Sequence, residues 1–248
     1  MLKNVQIEEC YISIIIPAYN EEKRLLRTLN KICAYFSQQD FICEIIVVDD
    51  GSTDNTSQVI RNFALSNNHV VVLTNEQNSG KGYSVRKGML SAKGKYVFFT
   101  DADLSTPIEE IEKCLPYLTH DYDVVIGSRS MPESNILIHQ PWYREKMGKI
   151  FNVIVNAVLL KGIVDTQCGF KGFRREIVEK VFSRCSIDGF SFDVEVLYLS
   201  RKFNFKIKEI PIRWENSALS KVNPIKDSLQ MFKDLFRIKI KDLKGYYR

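Results

Sequence analysis

Short runs of β-branched and aromatic residues alternate with longer stretches of helical periodicity over the first hundred positions. Residues 12–17 (Ile-Ser-Ile-Ile-Ile-Pro) form an apolar run stopped by proline, the pattern of a strand buried on both faces. Residues 20–36 follow with Leu25, Leu29, Ile32 and Phe36 at helical spacing. Residues 44–48 form a second strand and end in Asp49-Asp50-Gly51-Ser52, after which Thr53 or Asp54 can cap a helix running to about Ser66. A strand over 70–74, a helix over 81–92, a turn at Gly94 and a strand over 96–100 complete the series. This alternation predicts an α/β fold with a mostly parallel central sheet flanked by helices.

The rhythm then changes. A strand over 123–127 runs into Ser128-Arg129, and residues 131–141 read as a mobile loop. Residues 143–160 are helical, with Met147, Ile150, Phe151, Ile154 and Val158 on one face and Arg144, Lys146 and Lys149 among the polar positions. A glycine-containing turn and strand over 165–173, a short helix over 193–199 and a last strand over 207–214 come next. Residues 225–243 close the pattern as an amphipathic helix, with Ile225, Leu229, Phe232, Phe236, Ile240 and Leu243 on one stripe. The organisation is one domain over 1–222 and a basic amphipathic helix over 223–248.

Charge sharpens the second part of that division. Residues 226–248 carry seven basic and three acidic side chains, a net of +4 out of the chain's +5. A basic end is either a solvated helix face or a surface for anions such as a lipid leaflet. Nucleic acid fits poorly, because the basic segment has no aromatic stacking platform. The six cysteines are dispersed without a C-x-x-C pair, which argues against a zinc site or disulfide framework and for a reducing cytosol. No signal peptide is recognisable, and no stretch reaches the roughly 18 apolar residues of a membrane span.

Right-handed crossovers line up the loops that follow the strands, and ligands of such sheets gather outside the strands' carboxyl ends. The unusual polar residues fall in those loops: residues 19–22, 49–54, 78–82 and 101–103. Asp101 and Asp103, one residue apart where a buried strand ends, suit a hard divalent cation such as Mg²⁺ or Mn²⁺ that bridges phosphates. The alternative for the pair is an aspartate-stabilised turn. Asp50 sits in a glycine turn where a carboxylate can accept from a base N–H or a ribose hydroxyl, or simply serve a strand-to-helix turn. Asn78-Ser79-Gly80-Lys81-Gly82 lacks Walker A spacing, yet its glycines and helix start can aim N–H groups at an anion. Arg129, directly after a buried strand, can grip phosphate oxygens.

In this order, Pro17-Ala18-Tyr19-Asn20-Glu21-Glu22, residues 47–54, residues 78–82, Asp101-Ala102-Asp103, Gly127-Ser128-Arg129, residues 165–173 and Ser220-Lys221 resemble the motif series of family 2 glycosyltransferases, in particular the polyprenyl-phosphate branch. The resemblance runs from about Ile12 to Lys221 and implies a GT-A fold. It implies a nucleoside pocket of Pro17, Tyr19, Glu21, Val48 and Asp50, and a metal-bound diphosphate at Asp101, Ala102 and Asp103. It also implies phosphate contacts from Arg129 and Lys221, and it puts Asp165 and Asp193 with Arg129 at the reaction centre. Asp165-Thr166-Gln167-Cys168-Gly169-Phe170-Lys171 looks more like the glucose than the mannose synthases of that branch, which implies UDP-glucose as donor. Ser105 stands where relatives carry a better oxygen ligand, so the third protein ligand of the metal is unassigned.

A lipid phosphate is already anionic, so attack on the anomeric carbon, with inversion, needs no strong base. Asp193 and Glu195 therefore either orient the acceptor or close a hydrogen-bonded helix start. A membrane acceptor also gives the helices over 143–160 and 225–243 a role at the cytoplasmic face of a membrane. Packing both stripes against the sheet is the alternative, and a membrane-protein partner or a second copy of the chain can serve the same end. Three further readings are a soluble saccharide or protein acceptor, a GDP-mannose donor, and a catalytically silent nucleotide-sugar binder.

Overall fold

The computed structural model describes residues 10–217 and 226–248. The chain runs β1 (Ile12–Ala18), α1 (Leu25–Phe36), β2 (Cys43–Asp49), α2 (Thr56–Leu65), β3 (Val70–Thr74), α3 (Lys81–Ser91) and β4 (Tyr96–Phe99). A 3₁₀ turn (Ile108–Glu110) leads to α4 (Ile111–His120), β5 (Val124–Ser128), β6 (Asn135–Ile138) and α5 (Trp142–Val158). β7 (Lys171–Arg174), α6 (Arg175–Phe182), α7 (Phe192–Lys202), β8 (Ile207–Pro211), β9 (Arg213–Glu215) and α8 (Lys226–Leu243) follow.

The main sheet has the order β3-β2-β1-β4-β7-β5-β8. β1 pairs in parallel with β2 and β4, β2 with β3, and β5 with β8, while β7 runs antiparallel between β4 and β5. Because β7 runs the other way, the turn that precedes it joins the loops that follow its neighbours on one edge. Seven segments, one from each strand of the sheet, thus converge there.

Alternation along the strands divides the core. Ile15, Ile46, Val48, Val97 and Phe99 face α3, α6, α7 and α8, whereas Ile14, Ile16, Ile45, Val47 and Phe98 face α1, α2 and α4. Each such side chain contributes about 1.5–3 kcal/mol on full burial. The six cysteines are free thiols, and burial pushes all of them up from their ordinary pKa.

Several details differ from the sequence reading. The first helix starts at Leu25, because Asn20 adopts a left-handed φ of 54° and residues 20–24 form a turn instead. Asp54, not Thr53, serves the start of α2, accepting from the Thr56 N–H at 2.9 Å. The loop expected over 131–141 contains β6, which pairs in parallel with β9 in a small second sheet. The strand expected over 207–214 is split between the two sheets just past Pro211, which has no N–H to continue the ladder.

The two amphipathic helices also divide their apolar residues. α8 buries Met231, Leu235 and Ile238 in the core, together with Tyr247, and turns Leu229, Phe236, Ile240 and Leu243 outward. Phe232 lies between, its ring centroid 5.6 Å from that of Phe151. α5 buries Phe151 and Val155 but exposes Trp142, Ile150 and Val153. Ile225 and Lys221 lie outside the described residues.

Candidate active site

The loops at the carboxyl edge are cross-braced before any ligand arrives. The Asn20 side-chain carbonyl accepts from the Thr53 N–H at 2.8 Å, and the Glu21 N–H donates to Thr56 Oγ1 at 2.6 Å, tying the first loop to the second. Asp50 then ties the second to the third. Its Oδ1 accepts from Asn75 Nδ2 (2.7 Å) and the Ser79 N–H (2.9 Å), and its Oδ2 from the Gly80 N–H (2.9 Å). A carboxylate offers about four acceptor positions, so Asp50 retains capacity for a ligand N–H or O–H. Gly80 is required here: its φ is +100°, and a Cβ would lie 2.3 Å from the Asp188 carbonyl oxygen.

Asp101 and Asp103 stand side by side after β4, each facing an internal cation. Lys81 Nζ is 2.5 Å from Asp101 Oδ1. Arg24 Nη1 is 3.3 Å from Asp103 Oδ2, and its guanidinium also grips both oxygens of Glu21. The second oxygen of Asp101 lies against the backbone of Gly169, where a Cβ would come within 2.0 Å of it. Thr28 Oγ1 donates to the Ala102 carbonyl at 2.7 Å and fixes the turn from below.

Arg129 follows β5 and is held by Asp165 in a bidentate pair, Nε to Oδ2 at 2.7 Å and Nη2 to Oδ1 at 2.9 Å. The guanidinium carbon sits 5.5 Å from the Trp214 ring centroid. Asp165 is buried and does not line the cleft; it positions Arg129, which does. Burial alone would raise the Asp165 carboxyl, but the charge and hydrogen bonds of Arg129 prevail and hold it at about 2. A folded-state value below the unfolded 3.8 stabilises the protein above that unfolded value and is lost as the pH falls toward about 2. Denaturant titrations are expected to show about 2 kcal/mol of stability from this group disappearing over that interval, and Asp165→Asn should remove that component.

Asp193 reaches the cleft at the start of α7 and is paired with Lys171, a fully buried lysine of β7. Lys171 Nζ also donates to the Cys168 carbonyl at 2.6 Å. Burial raises the Asp193 carboxyl from its usual value, and Lys171 and Lys81 oppose that rise. Glu195 is turned away from the cleft. It accepts from the Ser186 and Ile187 N–H groups (2.8 and 2.7 Å) and from the Tyr247 hydroxyl (2.5 Å), a structural knot.

These groups open onto one cleft of about 910 Å³. Its lining combines Pro17, Tyr19, Glu21, Asp50, Asp101 and Asp103 from the loops at the carboxyl edge with the apolar Met147, Ile150 and Phe151 of α5 and Met231 and Phe232 of α8. Val48 is not among the lining residues. It is wholly buried on the α3 face of the sheet, where Gly88 allows the helix to approach. The sequence reading gave no role to Arg24 or Trp214, and it named Lys81 and Lys171 only within motifs and Arg144 only as a polar helix position. Arg24 stands three positions after Glu21, and Lys171 is a lone charge inside Gly169-Phe170-Lys171-Gly172-Phe173, which are the signals that were available.

A mostly parallel sheet with carboxylates, cations and glycine turns at its carboxyl edge is the ligand-binding edge of an open α/β fold. The chain belongs to glycosyl transferase family 2, whose model matches residues 13–182. Among curated proteins it is 34% identical to a dolichyl-phosphate beta-glucosyltransferase of Dictyostelium discoideum, over 98% of this chain and 78% of that protein. It is 35% identical to the Homo sapiens protein of the same name (96% and 77%) and 36% to that of Saccharomyces cerevisiae (97% and 78%). Among solved structures it is similar to glucosyl-3-phosphoglycerate synthase of Mycobacterium tuberculosis in complex with Mn²⁺, UDP and glucosyl-3-phosphoglycerate (TM-score 0.68, 18% identity, 92% of this chain and 80% of that one). Mannosyl-3-phosphoglycerate synthase of Rubrobacter xylanophilus is similar too (TM-score 0.67, 20% identity, 95% and 74%).

Proposed function

We propose that the protein transfers glucose, with inversion, from UDP-glucose to the phosphate of a polyprenyl lipid of the dolichyl type at a membrane surface. The observation that carries this reading is the mixed lining of one cleft: charged loop residues suited to a nucleotide diphosphate, and apolar side chains of α5 and α8 suited to an isoprenoid chain. The names of the relatives at 34–36% identity, dolichyl-phosphate beta-glucosyltransferases, support glucose as the sugar and dolichyl phosphate as the acceptor.

Asp101 and Asp103 fit a hard divalent cation such as Mg²⁺ or Mn²⁺, being oxygen donors on one turn. The described residues contain no cluster of three or more His, Cys, Asp or Glu able to hold an ion. The donor set therefore suits an ion shared with the diphosphate. When bound, such an ion supplies positive charge against the charge that develops on the departing diphosphate. Pro17, Tyr19, Glu21 and Asp50 hold the nucleoside. Arg129 and Arg144, both lining the cleft, hold the acceptor phosphate. An acceptor phosphate oxygen forms the bond to the anomeric carbon as the bond to the diphosphate breaks and its electron pair leaves with that group. No proton has to be removed, so Asp193, held by Lys171, orients the acceptor and is not needed as a base.

Among the described residues no helix is long and apolar enough to cross a membrane. The outward apolar side chains of α5 and α8, with Lys146, Lys149, Lys233, Arg237 and Lys244 exposed on the same helices, suit peripheral docking on the anionic cytoplasmic face of a membrane. Phe236→Glu with Ile240→Glu is expected to cut co-sedimentation with anionic vesicles at least about tenfold, since two buried apolar side chains are lost. UDP affinity should stay unchanged in that variant. The donor is tested by thermal shift with Mn²⁺ present: UDP and UDP-glucose should raise Tm more than GDP and GDP-mannose, and the reverse order would overturn the choice.

A further inference from the structure

Both candidate metal ligands already have a positive partner on a carboxylate oxygen. Asp101 Oδ2 is so close to Gly169 that a Cβ would sit 2.0 Å from it, while its Oδ1 is held by Lys81 Nζ at 2.5 Å. Asp103 Oδ1 accepts from the Ser105 N–H at 3.0 Å, closing its own turn, and its Oδ2 faces Arg24 Nη1 at 3.3 Å. A divalent ion sits about 2.0–2.1 Å from a carboxylate oxygen, so it competes with these cations for the same carboxylates.

The cations are built in. Arg24 is anchored by Glu21 and donates to Ser217 Oγ at 2.7 Å. Lys81 starts α3 directly after Gly80, and its ammonium lies 5.8 Å from the Phe192 ring centroid. Each is thus held by fixed neighbours beside its carboxylate, Arg24 by Glu21 and Ser217 and Lys81 by Asp101 and the ring of Phe192.

We propose that Lys81 and Arg24 are internal stand-ins for the divalent cation, neutralising Asp101 and Asp103 until a nucleotide diphosphate brings the metal in and receives the displaced side chains. The inference rests on the diphosphate reading of this site. A free dication gains little at carboxylates that already have counter-charges; it takes Asp101 from the Lys81 ammonium and Asp103 from the Arg24 guanidinium, which keeps Glu21 and Ser217. A diphosphate changes that balance, because its anionic oxygens accept from both. Metal and nucleotide therefore bind as a unit, each raising the affinity for the other by the same factor.

Titration of Mn²⁺ alone, followed by isothermal calorimetry and by the loss of the free-ion paramagnetic resonance signal, tests this without any turnover. The wild-type protein should bind Mn²⁺ weakly, and UDP should tighten it at least about tenfold, within the usual range of coupling. Lys81→Met and Arg24→Met should each bind Mn²⁺ alone several-fold tighter than wild type, while Lys81→Arg should retain the weak binding. Melting curves on each variant confirm the fold. Met variants that bind Mn²⁺ no tighter than wild type would overturn the proposal. The metal-alone arm uses no nucleotide, so it decides the stand-in role even if UDP fails to bind, a failure that would count against the donor reading alone.

Discussion

Asp101→Asn is expected to lower glucose transfer by about two to three orders of magnitude, the loss seen when one preorganised charge-stabilising group is removed. The amide is nearly isosteric but carries no charge, and it leaves Lys81 facing a neutral group at the oxygen it now holds at 2.5 Å. Stability should change little, by about 1 kcal/mol or less, because the pair is partly solvated. Gly169→Ala should reach a similar outcome by a different route. Its new methyl group would lie 2.0 Å from Asp101 Oδ2 and must push the carboxylate aside, and a misplacement of about 1 Å can cost a hundredfold. Initial rates with labelled UDP-glucose, beside melting curves, check both variants. Rates within tenfold of wild type would remove Asp101 from the reaction centre.

The second large effect is on folding. Asp165→Asn strips the counter-charge from Arg129, and breaking one partner of a buried pair costs about 3–5 kcal/mol. Arg129 retains some solvent access and its contact with Trp214, so the lower end of that range applies. For a chain of this size that corresponds to a fall in Tm of roughly 6–12 °C. Replacing both partners, as Asp165→Leu with Arg129→Met, should unfold less readily than Asp165→Asn alone, since no uncompensated charge stays behind. Equal destabilisation by the single and the double variant would show that packing at the site, not the ion pair, sets the stability.

Much of this site was readable because its loops follow strands whose β-branched runs leave little choice of partner. Residues 12–17, 44–48, 70–74 and 96–100 each appear as strands, and the polar residues after them meet at one edge. What could not be read depends on contacts between distant segments. The pairing of Arg24 with Asp103 spans the gap between two loops, and only folding brings them together. Val48 adjoins Asp49 and Asp50, yet alternation turns it to the α3 face, away from the cleft. In α8, two sets of apolar positions share nearly the same period, so periodicity alone does not say which set is buried. The core took Met231, Leu235 and Ile238, while Leu229, Phe236, Ile240 and Leu243 were left on the surface. The segment 135–138 likewise carries no local sign that it will find β9, more than seventy positions further on.

The account stands most directly on one assay. Purified protein, UDP-[¹⁴C]glucose, Mg²⁺ and a polyprenyl phosphate in detergent should give labelled glucose in the organic phase, with little transfer from GDP-mannose. Label that stays entirely in the aqueous phase, whether on a soluble saccharide or as free sugar, would contradict the lipid-phosphate acceptor and with it the role assigned to the apolar lining of the cleft.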